Sequence, residues 1–130
     1  MARLLLAAVA IVLIAWFGLM YRNYRVGADA ADRVIVHPDM GDAAFARSMD
    51  DLRSAETLDP STEWSVTRAN YLLLRDKATA LIVARSIVDK EPDNLAAWVA
   101  VAKAADGRDP VLLRRANAAI QRLNPAPARR

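Results

Sequence analysis

Residues 61–92 read STEWSVTRANYLLLRDKATALIVARSIVDKEP, and residues 93–125 read DNLAAWVAVAKAADGRDPVLLRRANAAIQRLNP. The two stretches share a layout of two helical patterns, with a tryptophan near the beginning and a proline at the end. Trp64 and Trp98 lie 34 residues apart. A period in this range is typical of stacked helical hairpins, so the sequence predicts an all-α fold with a short hairpin array of about five helices.

Residues that suit helix ends lie where this layout needs them. Aspartate, asparagine, serine and threonine cap helix N-termini through their side-chain oxygens, and proline is favoured in the first helical turn. The predicted N-caps are, in chain order, Ser61 or Thr62, Asp76, Asp93 or Asn94, and Asp109 before Pro110. Gly107 suits the C-terminus of the helix that contains Trp98.

A further helix is predicted over residues 42–58, where Phe45, Met49, Leu52 and Ala55 recur at helical spacing. Because a stable array normally takes about three repeats, we expect this helix to cap the N-terminal side of the hairpins. A partner that completes the stack is the alternative. The predicted helical domain therefore covers residues 42–125, and residues 126–130 are expected to be frayed.

The beginning of the chain predicts a membrane anchor over residues 1–21. Residues 4–20 carry no charge and would span about 26 Å as a helix, close to the ~30 Å hydrocarbon core of a bilayer. A cleaved signal peptide is the alternative, but its apolar region is typically shorter and is followed closely by a small-x-small site. A buried core helix of a soluble protein is the other alternative.

Residues 22–41 are predicted to be a juxtamembrane linker that includes the β-prone run 34–36. Arg22, Arg25 and Arg33 follow the anchor, against Arg3 and the amino terminus before it. By the positive-inside rule this small excess favours a single-pass protein of the cell membrane whose C-terminal domain is cytoplasmic.

The hairpins resemble tetratricopeptide repeats. The residues that carry the resemblance are Trp64, Tyr71, Ala80 and Pro92 in the first stretch, Trp98 and Pro125 in the second, and Ala55 and Pro60 before them. The repeats are degenerate, because Arg68 and Ala102 replace the usual glycine and Ile87 and Ile120 replace a late small residue. We expect both tryptophans to pack between neighbouring helices.

The resemblance also implies a partner-binding groove along the first helix of each hairpin. Its predicted residues are Thr62, Ser65, Ala69, Leu72, Leu73, Ala96, Val99, Lys103 and Asp106. The lysines and asparagines with which some family members clamp a C-terminal carboxylate are missing, since Ser65 and Ala69 occupy two of those positions. A mildly apolar helix or extended segment is the expected guest.

A basic stripe of arginines marks the last predicted helix. Arg108, Arg115 and Arg122 recur every seven residues, and Arg114 flanks them. We interpret this stripe as the solvated outer face of a terminal helix, with a contact for anionic lipid or an acidic partner as the alternative. A nucleic-acid contact is not expected, because no aromatic residues are interleaved and the net charge is only +3.

Catalysis, a metal site and a cofactor are not expected. The chain has one histidine and no cysteine, which disfavours a zinc site. A Ser-His-Asp arrangement would have to use His37 beside a proline, and the adjacent Asp50 and Asp51 point in different directions on a helix.

The sequence therefore predicts a membrane-anchored protein-interaction module, an accessory or assembly subunit that contacts lipid through its N-terminal helix. The alternative is a structural subunit of a larger membrane enzyme or transporter without a separate docking role.

Overall fold

A computed structural model describes residues 2–59 and 61–125, and these form six α-helices. Pro60 and the predicted frayed tail at 126–130 lie outside the described residues. The helices, in chain order, are α1 (Ala2–Val36), α2 (Asp42–Glu56), α3 (Glu63–Leu72), α4 (Lys77–Lys90), α5 (Leu95–Ala105) and α6 (Pro110–Leu123). The predicted all-α class is confirmed, with no strand among the residues described.

α1 is one helix of 35 residues, long and apolar enough to cross a membrane. Its apolar part is exposed: Ile14 and Phe17 are 72% and 68% accessible. At 1.5 Å per residue the helix is about 52 Å long, whereas a bilayer core of ~30 Å needs about 20 residues. Some 15 residues of α1 are therefore in excess of a membrane span.

The predicted linker at 22–41 is helical as far as Val36, and the β-prone run at 34–36 forms the last turn of α1. Packing explains the difference, since Ala30 and Val34 are 0% and 3% exposed and α1 packs against α2. Tertiary contacts of this kind override the weak strand preference of valine and isoleucine.

α2 belongs with α1 in a compact unit, Met1–Pro60, whereas the sequence had grouped it with the hairpins. It contributes Phe45, Met49, Leu52 and Ala55 to the core of that unit, the residues whose spacing predicted the helix. It begins at Asp42 with Gly41 as its N-cap, and it ends at Glu56.

α3 to α6 form a second compact unit, Ser61–Arg130, whose described part ends at residue 125. Within it α3 packs against α4, α4 against α5 and α5 against α6, and α3 also contacts α5. Trp64 and Trp98 are each only 7% exposed, so both belong to the core. Tyr71 is half-buried, and Pro92 and Pro125 lie exposed after α4 and α6.

Three of the predicted N-caps are formed. Asp76 accepts the amides of Ala78 and Thr79, Asn94 accepts that of Ala97, and Asp109 accepts those of Val111 and Leu112. Gly107 adopts φ +72° just after α5, a left-handed conformation that glycine takes without steric cost. Thr62 precedes α3 but makes no side-chain cap, because its hydroxyl bonds to Glu91 instead.

Candidate functional site

A polar cluster joins the start of α3 to the turn between α4 and α5. The Thr62 hydroxyl donates to Glu91 Oε2 at 2.7 Å, and the Asn94 amide donates to the same oxygen at 2.8 Å and to Thr62 Oγ1 at 3.0 Å. The bond from Asn94 is the main cause, and the bond from Thr62 the second, of a pKa of Glu91 that lies below its usual range. The cluster therefore ties the two hairpins together through a charged carboxylate.

This cluster lies in the wall of an open cavity of about 410 Å³. The lining residues are Ser61, Thr62, Glu63, Val66, Thr67, Glu91, Asn94 and Ala96. Thr62 and Ala96 are two of the predicted groove residues, so the cavity lies at one end of the predicted groove. Hydroxyl, amide and carboxylate groups line the cavity together with the apolar side chains of Val66 and Ala96.

The structure divides the nine predicted groove residues by exposure. Ala69 and Leu72 are 0% and 7% exposed and belong to the core of the second unit, so a partner cannot contact them without a rearrangement. Ser65, Leu73 and Val99 are half-buried like Thr62, and Ala96, Lys103 and Asp106 are exposed. The accessible surface of the first helices is thus formed by these seven residues.

The arginine stripe separates into two parts. Arg115 lies over the Trp98 ring, with its guanidinium carbon 5.8 Å from the ring centroid. Arg122 donates to Asp93 at 3.0 Å, and its side chain is 63% exposed, so this ion pair contributes little stability. Arg108 and Arg114 are exposed, and the positive charge of Arg108 helps to lower the pKa of Asp76, although hydrogen bonds from Thr79 are the main cause.

Trp98 is held by a hydrogen bond as well as by packing. Its indole Nε1 donates to the carbonyl oxygen of Pro92 at 2.7 Å, and Arg122 approaches the same oxygen at 3.5 Å. Pro92, which closes the first stretch in sequence, thus contacts the tryptophan of the next hairpin. Neither these contacts nor the Thr62 cluster had been predicted; in the cluster, Thr62 and Asn94 are 32 residues apart.

The turn between α1 and α2 contains the strongest candidate for catalysis, and its geometry does not fit that role. His37, Asp39 and Ser48 line one cavity of about 340 Å³. Ser48 is 1% exposed, and its hydroxyl accepts a hydrogen bond from the Arg33 guanidinium at 3.4 Å, so a cation occupies the place of a general base. Asp51 is ion-paired with Arg33, and Asp50 is exposed.

Within the described residues, no group of three or more His, Cys, Asp or Glu side chains is placed to hold a metal ion. No family model, curated protein or solved structure matches this chain.

Proposed function

We propose that this chain is a single-pass membrane protein whose α3–α6 hairpins dock another membrane-associated protein, as an accessory or assembly subunit. The observation that carries the proposal is the accessible surface of α3 and α5, where Ala96 lines the 410 Å³ cavity and Val99, Lys103 and Asp106 are also accessible. Its mixture of small, apolar and charged side chains suits an extended or helical segment of a partner.

A degenerate tetratricopeptide-like array is the arrangement that we propose for the hairpins. Two features support it: the first helices of consecutive hairpins, α3 and α5, contact each other, and a buried tryptophan recurs in each. Stacked hairpins of this kind form extended binding surfaces, and catalysis is rare among them. We accordingly propose that the chain is not an enzyme and requires no cofactor.

The exposed apolar length of α1 supports a retained anchor, and the arginines that follow it support a cytoplasmic position for the hairpins. An anchor confines the docking surface to the membrane and raises its effective concentration toward a membrane-bound partner. In sealed right-side-out vesicles we expect protease to spare residues 61–130 and to cleave them after inversion. Cleavage in the right-side-out vesicles would reverse the orientation.

A charge placed on the docking surface tests the function directly. Ala96 and Ala118 are both exposed helical alanines, one on α5 in the predicted groove and one on α6 outside it. We expect Ala96→Glu to abolish co-purification of the partner from mild-detergent extracts, whereas Ala118→Glu retains it. Equal retention by both variants, or a chain that always purifies alone, contradicts docking on this surface.

The structural-subunit alternative is favoured by one observation, the burial of Ala69 and Leu72, which makes the accessible groove smaller than predicted. The two functions differ in the state of the isolated full chain in detergent. Cooperative thermal unfolding of the isolated chain, followed by circular dichroism, supports docking. A hairpin unit that orders only inside its complex supports the structural role.

A further inference from the structure

α2 runs antiparallel to the end of α1. The Asn23 amide donates to the carbonyl oxygen of Ala55 at 2.6 Å, whereas Arg33 bonds Ser48 and ion-pairs with Asp51. An early residue of α1 thus meets a late residue of α2, and a later residue of α1 meets earlier ones. The two helices form a hairpin, called here the stalk, whose tip is the turn at residues 37–41.

This arrangement returns α2 to the end of the apolar segment. Asn23 lies three residues beyond Met20, the last residue of the uncharged stretch. The last turn of α2 therefore lies at the same level along α1 as residues 21–26. Tyr21 and Tyr24 are 64% and 57% exposed at this level, where tyrosine rings favour the interface between lipid and water.

Charges are segregated along the stalk. Its base, defined as residues 21–26 of α1 and 53–56 of α2, contains Arg22, Arg25 and Arg53 against one acid, Glu56. The rest of the stalk, residues 27–52, contains two arginines against six acids: Asp29, Asp32, Asp39, Asp42, Asp50 and Asp51. Arg25 and Asp29 lie 3.8 Å apart, and both side chains are more than half exposed. Because exposed ion pairs of this kind are weak, Asp29 does not cancel the positive charge of the base.

We propose that the base of the stalk binds the headgroups of anionic lipids, with Arg22, Arg25 and Arg53 against lipid phosphates, and that the stalk stands upright on the membrane. Anionic headgroups attract the base and repel the acidic remainder, so the charge pattern opposes a stalk that lies flat. The proposal rests on the membrane-spanning part of the proposed function and is independent of docking by α3–α6.

Depth measurements on the full chain in bilayers test the upright stalk. The chain has no cysteine, so Ala43→Cys and Ser54→Cys each introduce one site for a spin label, at exposed positions near the two ends of α2. Eleven residues of helix separate the labels by about 16 Å. We expect the label at 54 to report the headgroup layer and the label at 43 to report bulk water. Equal depths, or a deeper label at 43, overturn the proposal.

Removal of one arginine tests lipid recognition. Arg53→Gln is compared with Arg47→Gln, since both arginines are exposed on α2 and only Arg53 lies in the base. In bilayers that contain phosphatidylglycerol, we expect Arg53→Gln to lower the ratio of headgroup-buried to water-exposed label at 54 about fivefold. Arg47→Gln leaves that ratio unchanged, and in pure phosphatidylcholine neither variant alters it. Identical behaviour of the two variants in the anionic bilayer overturns headgroup binding.

Flotation with the vesicles after alkaline extraction separates this proposal from the proposed function. A chain that fails to float is not integrated, and the membrane anchor itself is then wrong. A chain that floats but shows equal label depths is anchored without an upright stalk, which contradicts the upright stalk and leaves the membrane anchor intact.

Discussion

The second helices of the two hairpins, α4 and α6, have the same length and begin alike, but they bury very different surfaces. Each has 14 residues, and each is preceded by an N-cap aspartate that accepts two backbone amides. In α6 the buried residue is Ala116. In α4 the buried residues are Ala80, Val83, Ala84, Ile87 and Val88.

The neighbours of the two helices account for the difference. α4 packs against both α3 and α5, whereas α6 packs against α5 within the described residues. With Asp76 and Asp109 as equivalent positions, the buried Ala84 and Val88 of α4 correspond to exposed Asn117 and Gln121 in α6. A helix with polar side chains on its outward face is typical of the end of an array, so α4 is an interior helix and α6 a solvated one.

The largest effect is expected from removal of the buried tryptophan that each hairpin contains. Trp64 and Trp98 are equally buried, at 7% exposure, so alanine at either position leaves a large cavity. We expect Trp64→Ala and Trp98→Ala each to lower the free energy of unfolding by about 3–5 kcal/mol, measured by urea denaturation in detergent. A loss below about 1 kcal/mol at one tryptophan would mean that its hairpin does not depend on the repeat core.

A reciprocal exchange tests the difference between interior and outer helices. Val88→Gln places an amide at a position that is 8% exposed, so we expect a loss of about 1–3 kcal/mol in the free energy of unfolding. Gln121→Val alters an exposed site, and we expect a change within about 0.5 kcal/mol. Both are measured by urea denaturation. Similar losses for the two substitutions would contradict the assignment of α6 as a solvated helix.

The N-cap aspartates are the feature that α4 and α6 have in common, so their removal should affect both helices. Asp109→Ala leaves the amides of Val111 and Leu112 without their acceptor, and we expect a loss of about 1 kcal/mol in thermal or urea unfolding. Asp76→Ala should lose more, since Asp76 also accepts the Thr79 hydroxyl at 2.5 Å. Asp109→Asn and Asp76→Asn are the controls, because asparagine retains an oxygen acceptor.

The smallest effect concerns the end of α4, where Glu91 corresponds to the exposed Asn124 of α6. Hydrogen bonds from Asn94 and Thr62 lower the pKa of Glu91 in the folded chain. Glu91 therefore contributes fully to the free energy of unfolding at pH values above its pKa in the unfolded chain. This contribution is lost as the pH falls through its lower pKa in the folded chain. We expect Glu91→Gln to flatten the acid limb of the stability profile below about pH 5. An unchanged acid limb would show that the cluster does not couple to folding.

Local chemistry predicted the helix ends well, because capping depends on a few adjacent residues. Asp76, Asn94, Asp109 and Gly107 act as their residue types suggest. The repeat period also predicted the burial of both tryptophans, each of which is 7% exposed.

What the sequence did not predict depends on contacts between distant residues. The packing of α2 on α1 keeps residues 22–36 helical, although they carry turn-compatible and β-branched residues. The burial of Ala69 and Leu72 and the contact of Arg115 with Trp98 follow from the way the helices stack. The bond from Trp98 to Pro92 spans only six residues, but it depends on the conformation of the turn between α4 and α5. One feature was visible in the sequence and missed: acids dominate residues 27–52, between the arginines of the stalk base.

Site-specific photo-crosslinking in native membranes tests whether the first-helix surface of the hairpins docks a partner. A photoreactive phenylalanine analogue replaces Ala96 in one variant and Ala118 in the other, both on exposed helical surface. We expect one discrete protein adduct from position 96 and none from position 118. Adducts of equal yield from both positions, or none from position 96 in membranes where the chain is folded, would contradict docking on this surface.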